Sequence, residues 1–330
     1  MSARFINSLS TFASDASANG KALEYACLTA LARRLAARQA TIVRLADSSA
    51  ARTAQRRYDA LAPATRQSYD WGAQAGIESV MRLESTLLEG KGRFTLALQA
   101  DAQGAAGDVR DLVVKHDTGW ELGILVKHNN DAAKHPRVSG DLDFARQWLG
   151  MSASAGYFAA IKPVFDELES YAATGSHWSA LGLRETEKAQ RFYRPVLSAL
   201  AVELRRQMAQ TPNAPAALLR YMTGRRDFYK LIITIKKREV ELQAFNFDGE
   251  LGRATPPVVP RLRLPTKLID LDFKRASINT LIARFDREWA LSLRLHSASS
   301  RVERSLKLDV RLVSVPAEML KQTTAWRAQT

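Results

Sequence analysis

One cysteine, Cys27, stands in a chain of 330 residues, so no internal disulfide can form. A lone thiol fits a reducing cytoplasm, the expected location, and Cys27 itself reads as a small core hydrophobe in a helical pattern. No apolar run approaches the eighteen or so residues that a membrane span needs. Met1 to Asn19 is Ser/Ala-rich and lacks the basic-then-apolar layout of a secretory signal. Internal repeats and low-complexity tracts are missing, which leaves ordinary globular architectures. Acidic residues are scarce too: 34 Asp and Glu face 48 Lys and Arg, for a net charge of +14 and a pI near 10.1. Such a surplus favours a polyanionic partner through phosphate neutralisation and counterion release. Composition alone leaves DNA, RNA and anionic membrane open.

What is present is a hydrophobic content of 46%, enough for a sizeable core in one large domain or two ordinary ones. Helical spacing runs from Gly20 to Ala46 through Leu23, Cys27, Leu31 and Leu35, and again from Ala51 to Leu88 with a break at Pro63. Arg93 to Gln99 alternates as a strand, and Asp101 to Gly107 reads as a loop feeding a hairpin. Phe144 to Ala173 and Glu185 to Gln210 are helical by period, with a break at Pro212 to Pro215. From about Phe228 the pattern turns to β, with strands expected near 229–235, 240–247, 268–273, 280–285, 289–295 and 306–313. Residues 226 onward hold 20 Lys/Arg against 12 Asp/Glu, so the β-rich end is itself basic. Tyr229, Phe245, Phe247 and Trp289 are expected in the core.

The hairpin carries the chemistry. Gly107 to Val114 and Trp120 to Asn129 read as two strands about a turn at His116 to Gly119. That pairing sets Asp111 opposite roughly Leu125, and residues 121, 123, 125 and 127 share one face of the second strand. A carboxylate and Lys127 at the end of a buried hairpin suit metal-dependent phosphodiester cleavage. The acid binds a hard cation such as Mg²⁺, and the lysine steadies the attacking water or the phosphate. An unpaired lysine ending an apolar strand is costly, so Lys127 is expected to face a carboxylate, water or phosphate. Glu121 shares that face, yet six residues at about 3.3 Å each set it roughly 20 Å from Lys127. Its expected role is structural.

Asp111, the gap of about fifteen residues and Lys127 resemble the PD-(D/E)XK nuclease signature. More specifically, the chain resembles HaeIII-type type II restriction endonucleases. The segments that carry the likeness are Asn19–Tyr25, Gly107–Asp111, Trp120–Arg137, Leu142–Phe144, Asp227–Lys230, Gln243–Phe247 and Leu295–Glu303. The resemblance implies an α+β, restriction-endonuclease-like core with an αβββ start and a mixed sheet flanked by helices. We take residues 1–225 as that core with helical insertions. Residues 226–330 are then a β-rich region for DNA recognition and sheet completion. The implied activity is hydrolysis of double-stranded DNA at the palindrome GGCC, cut at its centre. The implied cofactor is Mg²⁺, and a cognate DNA methyltransferase is a functional rather than physical partner. A palindromic site suits a homodimer, although a monomer nicking the strands in turn also works.

One position departs from the general motif, which has an acid two residues before the lysine where this chain has Leu125. A further carboxylate must come from elsewhere. Glu24 shares a helix stripe with Leu28, Leu31 and Leu35, and the likeness implies a first-helix Glu at the metal. Asp108, three residues before Asp111, is the other candidate, though it can equally cap the turn at Gly107. The expected metal set is therefore Asp111 with Glu24 or Asp108. After Lys127 comes a polar cluster of His128, Asn129, Lys134, His135 and Arg137, expected to touch substrate, with His128 a candidate base or phosphate holder. Arg294, His296, Ser297, Ser299, Ser300 and Arg301 form a candidate recognition patch, since arginine is the commonest specific partner of guanine. Two other readings stay open: a histidine-centred metal nuclease using His128 or His135, and a DNA-binding protein without cleavage.

Overall fold

The computed structural model describes residues 6–100, 107–129, 132–254 and 256–327, with side chains from residue 18 onward. It has the mixed α+β architecture expected. The chain divides into two discontinuous units: residues 1–131, 224–262 and 318–330 form the first, and residues 132–223 and 263–317 the second. The boundary expected near residue 226 lies beside one crossing between units; the chain also crosses after 131, 262 and 317. Among the described residues no helix is long and apolar enough to cross a membrane.

The first unit is a seven-stranded mixed sheet in the order β1-β2-β3-β4-β6-β7-β12. Its strands are β1 (Thr41–Leu45), β2 (Gly92–Leu98), β3 (Leu112–His116), β4 (Glu121–His128), β6 (Phe228–Thr234), β7 (Glu239–Phe245) and β12 (Lys321–Ala325). The helices that pack on it are α1 (Ile6–Ala36) and α3 (Pro63–Leu83). Alternate residues of the central strands (Leu112, Leu122, Ile124, Val126, Tyr229, Leu231 and Leu242) form one core with Leu23, Cys27, Leu31, Ile77 and Val80 of those helices. Strand alternation explains this: one face is apolar and the helices cover it. The helix lies close because Gly72 and Gly76 face the sheet. A Cβ at Gly76 would stand 3.0 Å from Leu231 Cδ1.

The hairpin forms where the sequence puts it. Leu112 pairs with Ile124 and Val114 with Leu122. The turn closes through Gly119, whose φ of +86° is one that glycine adopts without strain. Three elements escape the periodicity reading. β1 lies inside the tract expected to be helical, and β12 near the end of the chain was not expected at all. A ten-residue helix, α9 (Ala214–Thr223), starts at the expected Pro break. The loop expected over 101–107 lies outside the described residues up to position 106.

The second unit holds an antiparallel sheet in the order β5-β11-β10-β9-β8. These strands are β5 (Arg137–Ser139), β11 (Ser305–Ser314), β10 (Ala290–His296), β9 (Thr280–Phe285) and β8 (Leu268–Phe273). The short β5 arises in the polar segment expected to be a loop, and its register with β11 sets Arg137 opposite Lys307.

Candidate active site

At Asp111 two strands part. Its N–H donates to Ile124 O at 3.0 Å and its carbonyl accepts from Gln99 N–H at 2.8 Å, so its backbone still belongs to the ladder. One residue earlier the chain has left β4. β4 itself runs on beside β6 through Val126, Lys127 and His128. The Val126 N–H points toward the side that β3 has vacated. A buried orphan donor there would be costly, and the Asp111 carboxylate fills the place, with Oδ2 accepting that N–H at 2.8 Å. The β3–β4 register ends at Leu112 and Ile124, with the Asp111 N–H turned to Ile124 O, and Leu125 and Lys127 share the face of β4 opposite Ile124 and Val126. Lys127 is half-buried and pairs with none of the described residues.

Glu24 lies on α1, three residues before Cys27. It is 6% exposed and accepts an ion pair from Lys21 Nζ at 3.0 Å. The Cys27 thiol, three residues on from Glu24 in α1, is fully buried. Burial pushes its pKa up most, and the charges of Glu24 and Asp111 push it further. Among the described residues no group of three or more His, Cys, Asp or Glu is arranged to hold a metal ion. Glu24 and Asp111 are the two carboxylates whose charges both act on the Cys27 thiol. That set is compatible with a hard divalent cation such as Mg²⁺, which takes one or two protein carboxylates and keeps several waters.

Asp108 is engaged elsewhere. Arg110 Nε and Nη2 hold its two oxygens, each at 2.8 Å, and Arg110 Nη1 reaches Glu121 at 2.7 Å. Despite the cost of burial, these bonds hold both carboxyls below the usual carboxylate range. Glu121 thus sits in a structural ion pair, away from Lys127. His128 lies on the opposite face of β4 from Lys127. Its Nε2 is 3.3 Å from Tyr69 Oη and 3.0 Å from Asn129 Nδ2, and burial lowers its pKa. The pleat therefore separates His128 from the Lys127 face.

Sequence reasoning passed over Arg110, Gly123 and Lys230. Arg110 and Lys230 are buried, 7% and 2% exposed, and Lys230 pairs with Leu125 on the site face. A glycine inside an apolar strand was the available signal for a close approach.

Within the second unit, the candidate recognition residues fall into three settings. The face of the antiparallel sheet opposite Leu291, Leu293, Leu308 and Val310 carries Arg137, Lys307 and His296 in one row, with Arg294 and Asp309 in the next. His135 joins this face through Asp309, Nδ1 to Oδ1 at 3.3 Å. Arg137 pairs with Glu303 at 3.1 Å, while burial lowers the His296 pKa. Lys134 turns inward, its ammonium 3.4 Å above the Tyr221 ring and 3.1 Å from Tyr221 O. Ser299 and Arg301 form a tight turn after β10, where Ser299 Oγ accepts Arg301 N–H at 3.1 Å. Lys307 and Arg311, unmentioned in the sequence reading, extend the basic face.

The family model described as HaeIII restriction endonuclease matches residues 20–316. The Type II restriction enzyme HaeIII of Haemophilus aegyptius is 32% identical over 315 residues, covering 93% of this chain and 97% of that protein. No solved structure matches.

Proposed function

Because the chain belongs to the HaeIII restriction endonuclease family, we propose that it cuts double-stranded DNA at GGCC with Mg²⁺, leaving 5′-phosphate and 3′-hydroxyl ends. The observation that carries this reading is the Asp111 carboxylate in the gap that β3 leaves beside β4, where it accepts the Val126 N–H one residue before Lys127. Asp111 and Glu24 would hold the cation. When bound, the cation supplies positive charge to the phosphate oxygens and favours ionisation of the attacking water. Lys127 orients that water and offsets the charge that builds on phosphorus as the new P–O bond forms and the P–O3′ bond breaks. His128, held neutral by burial against Tyr69, supports the β4 end from behind.

Arg137, Lys307, Arg294 and His296 form a basic face suited to phosphate and base edges. Asn129 and His135 complete the proposed DNA-contacting set. Lys134 and the Ser299–Arg301 turn serve mainly to hold backbone in place. The protein acts in the cytoplasm beside a methyltransferase that protects the host's own sites, and a twofold dimer would match the palindrome.

Digestion of unmodified plasmid by the purified protein with Mg²⁺ tests the proposal. A discrete ladder whose sequenced ends fall within GGCC is expected, with methylated plasmid resistant. A random smear, or intact plasmid, contradicts it.

A further inference from the structure

We infer that Arg110 is a positioning residue: clamped between Asp108 and Glu121 over Gly123, it keeps β3 and β4 apart so that the Asp111 carboxylate takes the Val126 N–H and stands where it can hold a cation. The inference rests on the proposed role of Asp111 as a metal ligand.

Arginine is among the residue types least often buried unless paired, and Arg110 is only 7% exposed. All its charge is answered locally. Asp108 takes Nε and Nη2 in a fork, Glu121 takes Nη1, and the Arg110 N–H also donates to Asp108 Oδ1 at 3.2 Å. Glu121 is drawn in further by Arg226 at 3.3 Å, from the segment leading into β6. The stem of Arg110 crosses β4 at Gly123, where a Cβ would lie 1.9 Å from its Cδ and 2.6 Å from its Cγ. Gly123 has no positive φ to explain its presence. The missing side chain is what admits the arginine.

The consequence reaches the carboxylate through the ladder. Continued two residues beyond Leu112 and Ile124, the β3–β4 register would pair residue 110 with Val126, and a backbone carbonyl would take the Val126 N–H. The clamp holds residues 108–110 in a turn instead, so that N–H is left to Asp111 Oδ2. Arg110 thus decides whether the strands zip closed or open around an acid. A forked guanidinium suits the task because it binds two carboxylates in fixed directions, which a lysine cannot do.

The test titrates Mn²⁺ into the full chain by calorimetry, alongside thermal melts and the Mg²⁺ dependence of cleavage. Gly123→Ala removes no polar group and displaces only the stem; Arg110→Lys serves should Gly123→Ala fail to fold. Each should weaken Mn²⁺ binding about tenfold or more, as expected when support behind a ligand is lost. Excess Mg²⁺ should return the cleavage rate to near wild type. Wild-type metal affinity in a folded variant overturns the inference, as does a loss of cleavage that excess metal cannot recover. Asp111→Asn, run in parallel, separates the two levels. Undiminished Mn²⁺ heat in that variant removes the metal-ligand reading, and the inference with it.

Discussion

The carboxylate of Asp111 accepts the backbone N–H of Val126 at 2.8 Å, at the point where β3 leaves β4. One side chain therefore caps an open strand edge one residue before Lys127. The capping bond fixes where the acid sits.

Lys127→Ala should lower single-turnover cleavage by roughly two to four orders of magnitude, the usual scale for losing an electrostatic group in phosphoryl transfer. His128→Ala should stay within about tenfold of wild type, because its ring faces Tyr69 rather than Asp111. The reverse ranking would favour a histidine-centred nuclease.

Acid stability should report on Glu203. Burial raises its pKa, but Arg206, Ser154 and Gln207 outweigh that and bring it from 4.5 down to about 2. The folded value is depressed, so the stabilisation is present above pH 4.5 and fades as pH falls toward 2. Glu203→Gln should cost on the order of 2–3 kcal/mol at neutral pH and flatten stability over that window. Urea melts at several pH values measure it; unchanged curvature between pH 5 and 2 contradicts the assignment.

Much of the hairpin was legible because its information is local. Alternation, a turn ending in Gly119 and an apolar second strand fix the register as far as Leu112 and Ile124; the shift at Asp111, whose N–H turns to Ile124 O, has no local signal. Glu24 was legible as a carboxylate on an apolar helix stripe. The Arg110 clamp was hidden, since nothing in the text of the sequence says that an arginine beside two aspartates will fold over a glycine thirteen residues later. The strands β1 and β12 were missed for a related reason. Each is five residues long and gains its structure from a partner far away in the chain, β2 and β7 respectively. Likewise the β-rich end reads as one region, yet β7 and β8 belong to different sheets.

DNA binding should lose salt dependence when the basic sheet face is trimmed. Arg294 is exposed on that face, and Arg294→Ala should reduce the slope of log K against log salt by about 0.9 for one lost phosphate contact. Fluorescence anisotropy from low to moderate salt gives the slope. An unchanged slope removes Arg294 from the interface.

Packing of α3 on the sheet should be intolerant of added bulk. A Cβ at Gly72 would meet Ile233 Cγ2 at 2.6 Å and Trp326 at 3.2 Å. Gly72→Val should therefore destabilise the fold by roughly 1–3 kcal/mol, read as a lower melting temperature; a rise would mean the helix relaxes away from the sheet without cost.

The most direct test of the account is single-turnover cleavage of a GGCC duplex by Asp111→Asn, with binding to the same duplex measured in parallel. The account expects the duplex still bound and cleavage reduced by about three orders of magnitude or more. Cleavage by the asparagine variant within tenfold of wild type would contradict it.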